Sequence, residues 1–167
     1  VKKSLIGAVV GMLVLSACGS PSNTAADVTF AQGMVPHHEQ ALDMAKLVPS
    51  RSSDDKVRDL AQRIEKAQGP EITQLNEWLA QWGAKQDHAG HDAAGMMGHD
   101  DMAALEKAGG AEFDRLWLTM MIKHHEGAVE MARTELAQGQ DEKAKKLAQA
   151  IVDGQQQEIT EMKGLLG

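Results

Sequence analysis

The chain is predicted to be all-α, a ferritin-like four-helix bundle built from two duplicated helical hairpins. Three observations lead there. First, the string MVPHHEQALDMA at residues 34–45 returns as MIKHHEGAVEMA at residues 121–132. Carried outward at the same offset of 87, the pairing runs without a gap over 27–80 against 114–167, and 19 of the 54 pairs are identical, so the repeated unit is a whole supersecondary element. Second, apolar residues recur at helical spacing in both copies, and no stretch alternates with period two. Third, a long segment, 84–109, joins the copies. An up-down-up-down bundle needs only a short middle loop, so this length favours a crossover connection.

Residues 1–17 read as a signal rather than as part of the fold. Lys2 and Lys3 form a basic start, Leu5 to Leu15 an apolar run, and Leu15-Ser16-Ala17-Cys18 a cleavage box ending in cysteine. The apolar run falls well short of the ~20 residues needed to span a bilayer. A lipoprotein signal is expected, with Cys18 as the lipidated residue that holds the protein to a membrane outside the cytoplasm. Val1 fits a bacterial alternative start codon. Residues 18–26 are small and polar, a flexible tether by composition. Because Cys18 is the single cysteine, a metal would have to use His, Met or carboxylate. Without residues 1–17 the chain carries 15 basic and 24 acidic side chains, 15 − 24 = −9, which argues against nucleic acid as a partner.

The bundle occupies 27–167. Its first helix is expected to begin near Asp27, whose carboxylate can cap backbone donors. The apolar stripe Phe30, Met34, His37, Ala41, Met44, Val48 steps by 4, 3, 4, 3, 4, the seam of a packed helix. Trp117, Met121, His124, Ala128 and Met131 repeat it, so His37 and His124 point into the bundle, while His38 and His125 sit about 100° further round, toward a seam between helices. Pro36 predicts a kink that Lys123 in the second copy lacks. The first helix is expected to end near Pro49, with Ser52 opening the second, which stops at Gly83. Gly109-Gly110 precedes the third helix, Gly139 ends it and Asp141 opens the fourth. The linker has no packing pattern, but it carries His88, His91, Met96, Met97, His99 and Met102, a composition associated with metal contact.

Each His pair has a Met one turn earlier, Met34 before His37 and His38, and Met121 before His124 and His125, on a shared face. Imidazole with thioether and no thiolate suits copper: Cu(I) is favoured by the soft sulfur, Cu(II) can be held by the imidazoles, and silver should mimic Cu(I). Taken singly, such methionines are more often core filler. Glu39 and Glu126 follow the second His of each pair as outer ligands or as surface charges, while Glu71 and Glu158 recur on the second and fourth helices and read first as caps of the bundle surface; all four are also candidates to orient the histidines from outside. Imidazoles must be neutral to bind, so affinity is expected to fall as pH drops through about 6 to 5. A di-iron site would need Glu-x-x-His, and Met34 and Met121 stand where that glutamate belongs.

The doubled M-[VI]-x-H-H-x-x-A-[LV]-x-M-A string resembles the signature of the family called domain of unknown function 305. That resemblance implies exported, often lipid-anchored bacterial proteins with a ferritin-like helical fold, some of them periplasmic copper-binding proteins connected with copper tolerance. By similarity, Met34, His37, His38 and Met44 carry over from the first string, and Met121, His124, His125 and Met131 from the second. Lys123 departs from the proline common at that place. The expectation is a lipid-anchored copper-binding protein that sequesters or passes on copper to a partner protein or within a homo-oligomer, without catalysis. The rivals are a copper-dependent redox enzyme using the same ligands and a non-metal helical interaction module.

Overall fold

The computed structural model describes residues 23–86 and 94–167. The signal at 1–17, Cys18 and the first part of the tether lie outside the described residues, as do His88 and His91. Five helices follow in order: α1 (Ala25–Arg51), α2 (Asp55–Gln81), α3 (His99–Lys107), α4 (Gly110–Gln138) and α5 (Glu142–Leu166). There is no strand among the described residues.

Helix α1 starts two residues ahead of Asp27. Asp27 instead sits in its first turn, accepting from the Thr24 amide at 2.5 Å and the Thr24 hydroxyl at 2.7 Å, and its carboxylate reaches on to the amides of Gln140 and Asp141 at 3.0 and 2.9 Å. One carboxylate thereby caps its own helix and ties it to the turn between α4 and α5. The helix runs unbroken through Pro36 and past Pro49 to Arg51, beyond the expected end. A proline removes one amide from the ladder, but flanking turns held by packing keep a helix going. The cap of α2 is Asp54, accepting from Lys56 and Val57; Ser52 stands two residues ahead of it and accepts from the Asp54 amide at 3.1 Å. Asp141 caps α5 in the same way. Helix α2 ends at Gln81 before Gly83, whose φ of 67° only glycine adopts readily.

Helices α1 and α2 form one hairpin and α4 and α5 the other, and α1 packs on α4. The start of α1 meets the end of α4 through Asp27, and the end of α1 meets the start of α4, where the Trp117 indole donates to the Met44 carbonyl at 3.1 Å. The two are therefore antiparallel, which makes α2 and α4 parallel and obliges the linker to travel back along the bundle. The long crossover expected from its length is thus a geometric necessity. From residue 94 on, the linker is more ordered than its composition suggests: α3 is a nine-residue helix, and Met97, Leu105 and Ala108 are buried.

The core has two parts. Ala41, Met44, Val48, Leu60, Ile64, Phe113, Trp117, Met121 and Met162 fill one end, and Phe30, Met34, Val35, Leu75, Trp78, Ala128, Ala132, Ala148 and Ile151 the other. Each large aliphatic or aromatic side chain among them contributes about 1.5–3 kcal/mol on burial, and each alanine methyl less than about 1 kcal/mol, enough together to carry a polar layer between them. That layer is the two His pairs, which fall between the clusters on both α1 and α4.

Candidate metal centre

His37, His38, His124 and His125 have no exposed surface. The rings of His37 and His124 meet across the antiparallel pair with centroids 3.7 Å apart and planes at 37°. His38 lies 6.5 Å from His37, and His125 lies 6.3 Å from His124, each turned away by one helical step. The repeat has thus become a pseudo-twofold axis running between His37 and His124.

The outer histidines are held identically. Nε2 of His38 donates to Glu71 at 2.8 Å, and Nε2 of His125 donates to Glu158 at 2.8 Å. A carboxylate behind a histidine fixes the ring and leaves Nδ1 carrying the lone pair, the arrangement found behind metal-ligating histidines. Nδ1 of both rings is buried and unpartnered. Glu39 and Glu126, the other two glutamates expected to orient the histidines, do not reach them. Glu39 is exposed, and the half-exposed Glu126 pairs with Lys163 at 3.1 Å, because the residue after His38 or His125 on a helix turns a further 100° toward water.

The inner histidines differ from each other. Nε2 of His37 donates to the Ala94 carbonyl at 3.1 Å, leaving Nδ1 without a partner. Neither nitrogen of His124 has a well-aligned hydrogen bond, although the His37 backbone lies close. Burial pushes the His37 pKa down to about 3, with the neighbouring His38 adding to the effect, and burial with the surrounding imidazoles drives His124 well below the usual histidine range. Burial thus favours the neutral, metal-accepting form of both inner rings.

The methionines sort by end rather than by helix. Because α1 and α4 run in opposite directions, Met34 belongs with Met131 on one side of the His layer, and Met44 with Met121 on the other. Met34, Met44 and Met121 are fully buried, whereas Met131 is only partly so. Among the described residues no three His, Cys, Asp or Glu side chains converge on one point, and the buried thioethers beside the His layer are the further soft donors at hand. A buried polar atom left unpaired costs roughly 1–3 kcal/mol. Several imidazole nitrogens in one layer, together with the side-chain amide of Gln68, are in that state, which fits a layer completed by a soft ligand-seeking ion.

The linker donors among the described residues differ in exposure. Met97 is buried, Met96 and Met102 are partly buried, and His99 is exposed at the start of α3. Two residues that matter here were not singled out from the sequence. Gln40 grips Met97 from both sides, its Nε2 donating to the Met97 carbonyl at 3.0 Å and its Oε1 accepting from the Met97 amide at 2.7 Å. Its repeat mate is Gly127, where any Cβ would collide with the Ala94 carbonyl, and Gly95, at φ 83°, lies directly on it. The signal was present as the Gln/Gly mismatch inside two otherwise matching strings.

Residues 27–166 match the family described as Domain of unknown function (DUF305). Among solved structures, a DUF305 fragment from Deinococcus radiodurans is 34% identical with a TM-score of 0.81, covering 88% of this chain and 99% of that one. A DUF305 protein from Streptomyces coelicolor, assigned as secreted, is 31% identical with a TM-score of 0.80 over 84% of this chain and 91% of that one. CopM in its Cu(I)-bound form is 30% identical with a TM-score of 0.72 over 83% and 94%, and CopM has also been solved with silver, with Cu(II) and in the apo form. The uncharacterized protein L153 of Acanthamoeba polyphaga mimivirus is 36% identical over 53 residues, and the match spans 35% of that protein's length.

Proposed function

The chain belongs to the domain of unknown function 305 family, and from that premise we propose that it binds copper outside the cytoplasm, for sequestration or transfer rather than for catalysis. The observation that carries this reading is the buried layer at the pseudo-twofold: His37 against His124, His38 and His125 each backed by a glutamate, and buried methionines on both sides. Neutral imidazole with thioether favours Cu(I), accepts silver in its place and gives zinc little. Copper here is cargo, exchanged between ligands without electron transfer. The copper- and silver-bound states of CopM support the choice of metal.

The basic and apolar start ending at Cys18, with the secreted assignment of the Streptomyces relative, supports an extracytoplasmic place with a lipid on Cys18. No helix among the described residues is long and apolar enough to cross a membrane.

The test is a competition titration of the purified protein with Cu(I), Ag(I), Cu(II) and Zn(II), counting retained metal, for the wild type and for His37→Ala with His124→Ala. Retention of Cu(I) and Ag(I) over Zn(II), lost in the double variant while the circular dichroism stays helical, is the expected result. Zinc binding as tightly as copper, or unchanged copper in the double variant, would overturn the reading.

A further inference from the structure

The crossover does more than return the chain to the far end of the bundle. Residues 94–98 form a strap seated on the His layer by three contacts: the Ala94 carbonyl on His37, the Gly95 backbone on Gly127, and Met97 between the two hydrogen bonds of Gln40. Gln40 lies one turn beyond His37 on α1, so the strap leads from the buried imidazoles to the outside within a few residues. Where it emerges, α3 and α1 border a groove of about 520 Å³ lined by Gln40, Met97, His99, Met102 and Glu106.

We propose that this groove is a separate, outer binding site for a soft monovalent cation, taking Cu(I) on the thioethers of Met97 and Met102 and the imidazole of His99, and loading the His layer beneath the strap. His99 and Met102 are three residues apart on α3, which puts them on one face of the helix. Met97 is brought to the same groove by Gln40, which fixes its backbone on both sides. Two thioethers and an imidazole select a soft ion, and the Glu106 carboxylate on the groove adds a favourable charge. The donors are already ordered by a helix and a clamp, so little chain entropy is lost on binding. His99 is exposed and Met102 only partly buried, which makes the site weaker and quicker to exchange than the fully buried layer, and passage inward is ligand exchange alone. The inner destination rests on the copper reading above; the outer site stands on its own donors.

Silver nitrate is the redox-silent probe, followed through the methyl resonances of the methionines in the full chain. Below one equivalent at short times, the Met97 and Met102 methyls are expected to shift before those of Met34 and Met121. His99→Ala with Met102→Leu, both outside the fully buried core, should lose one weakly held silver and slow loading of the layer at least fivefold, with unchanged helicity. Unchanged silver number or an unchanged loading rate in that variant overturns the proposal. In His37→Ala with His124→Ala the Met97 and Met102 shifts should persist. Silver held as tightly as before in that second variant would defeat the inner reading while leaving the outer site to be judged by its own two methyls.

Discussion

The two copies of the hairpin agree where they face each other and disagree where they meet the rest of the chain. At the dyad they are alike: His37 with His124, and His38–Glu71 with His125–Glu158 at the same 2.8 Å. At the strap they part, since Gln40 supplies a clamp and Gly127 supplies room. At the hairpin turns they part again. In the first copy Ser52 takes the Asp54 amide with its own hydroxyl. In the second, Gly139 has no side chain, the Glu135 carboxyl occupies that space, and Asp27 takes the amides of Gln140 and Asp141. A duplication keeps identity only where the symmetry axis makes both copies do one job; a single crossover passes one face of the bundle, so the residues it touches must diverge.

The largest expected effect tests the likeness. Glu71→Gln and Glu158→Gln should each weaken silver binding by about ten- to a hundred-fold, the cost of losing the carboxylate behind a ligating histidine. The two factors should agree within about twofold. A silver competition assay that finds one variant normal and the other impaired would break the symmetry of the layer.

Next comes the strap. Gly127→Gln, which makes the second copy resemble the first, pushes a side chain into the Ala94–Gly95 backbone and should cost up to about 3 kcal/mol in urea unfolding. Gln40→Leu removes two hydrogen bonds at about 1 kcal/mol each, a local loss. Hydrogen exchange should then speed up at Met97 while the amides of α5 stay protected. Equal protection at Met97 in both variants and the wild type would mean that the strap is held by something else.

A third effect belongs to one end of the bundle. Burial raises the Glu135 pKa to about 8, and the adjacent Asp27 carboxylate adds to it. Asp27, despite the opposing effect of its own burial, is brought down to about 2 by its bonds to Thr24 and Asp141. The folded state therefore keeps a proton on Glu135 that the unfolded chain gives up near its usual 4.5, so stability falls as pH rises from 4.5 to about 8. Asp27 acts oppositely: its stabilisation is present above 3.8 and is lost as pH falls toward 2. Glu135→Gln should flatten the melting temperature between pH 5 and 8; a slope that survives assigns it elsewhere. The other end carries Val48 at the matching position, a side chain with no proton to exchange.

The smallest effect is at the glutamates that face water. Glu126→Gln removes an exposed ion pair with Lys163 and should change stability by less than about 1 kcal/mol. Silver retention should stay within twofold of the wild type. A loss comparable to that of Glu158→Gln would bring Glu126 back to the metal.

The sequence by itself determined the all-helical class, the hairpin duplication, and the inward direction of His37 and His124, because helical periodicity and repetition are signals written along the chain. It also placed the caps at Asp54 and Asp141 to within a few residues. What only the tertiary structure decided is which residues from distant turns meet. The antiparallel crossing of α1 and α4 regrouped Met34 with Met131 and Met44 with Met121, which no spacing within one helix can express. It separated Glu71 and Glu158, which touch the histidines, from Glu39 and Glu126, which do not, although all four recur in the repeat. And it turned a linker without a packing pattern into a strap, because the contacts that order residues 94–98 come from Gln40, Gly127 and His37, which stand far away in the chain and close only once the bundle has formed.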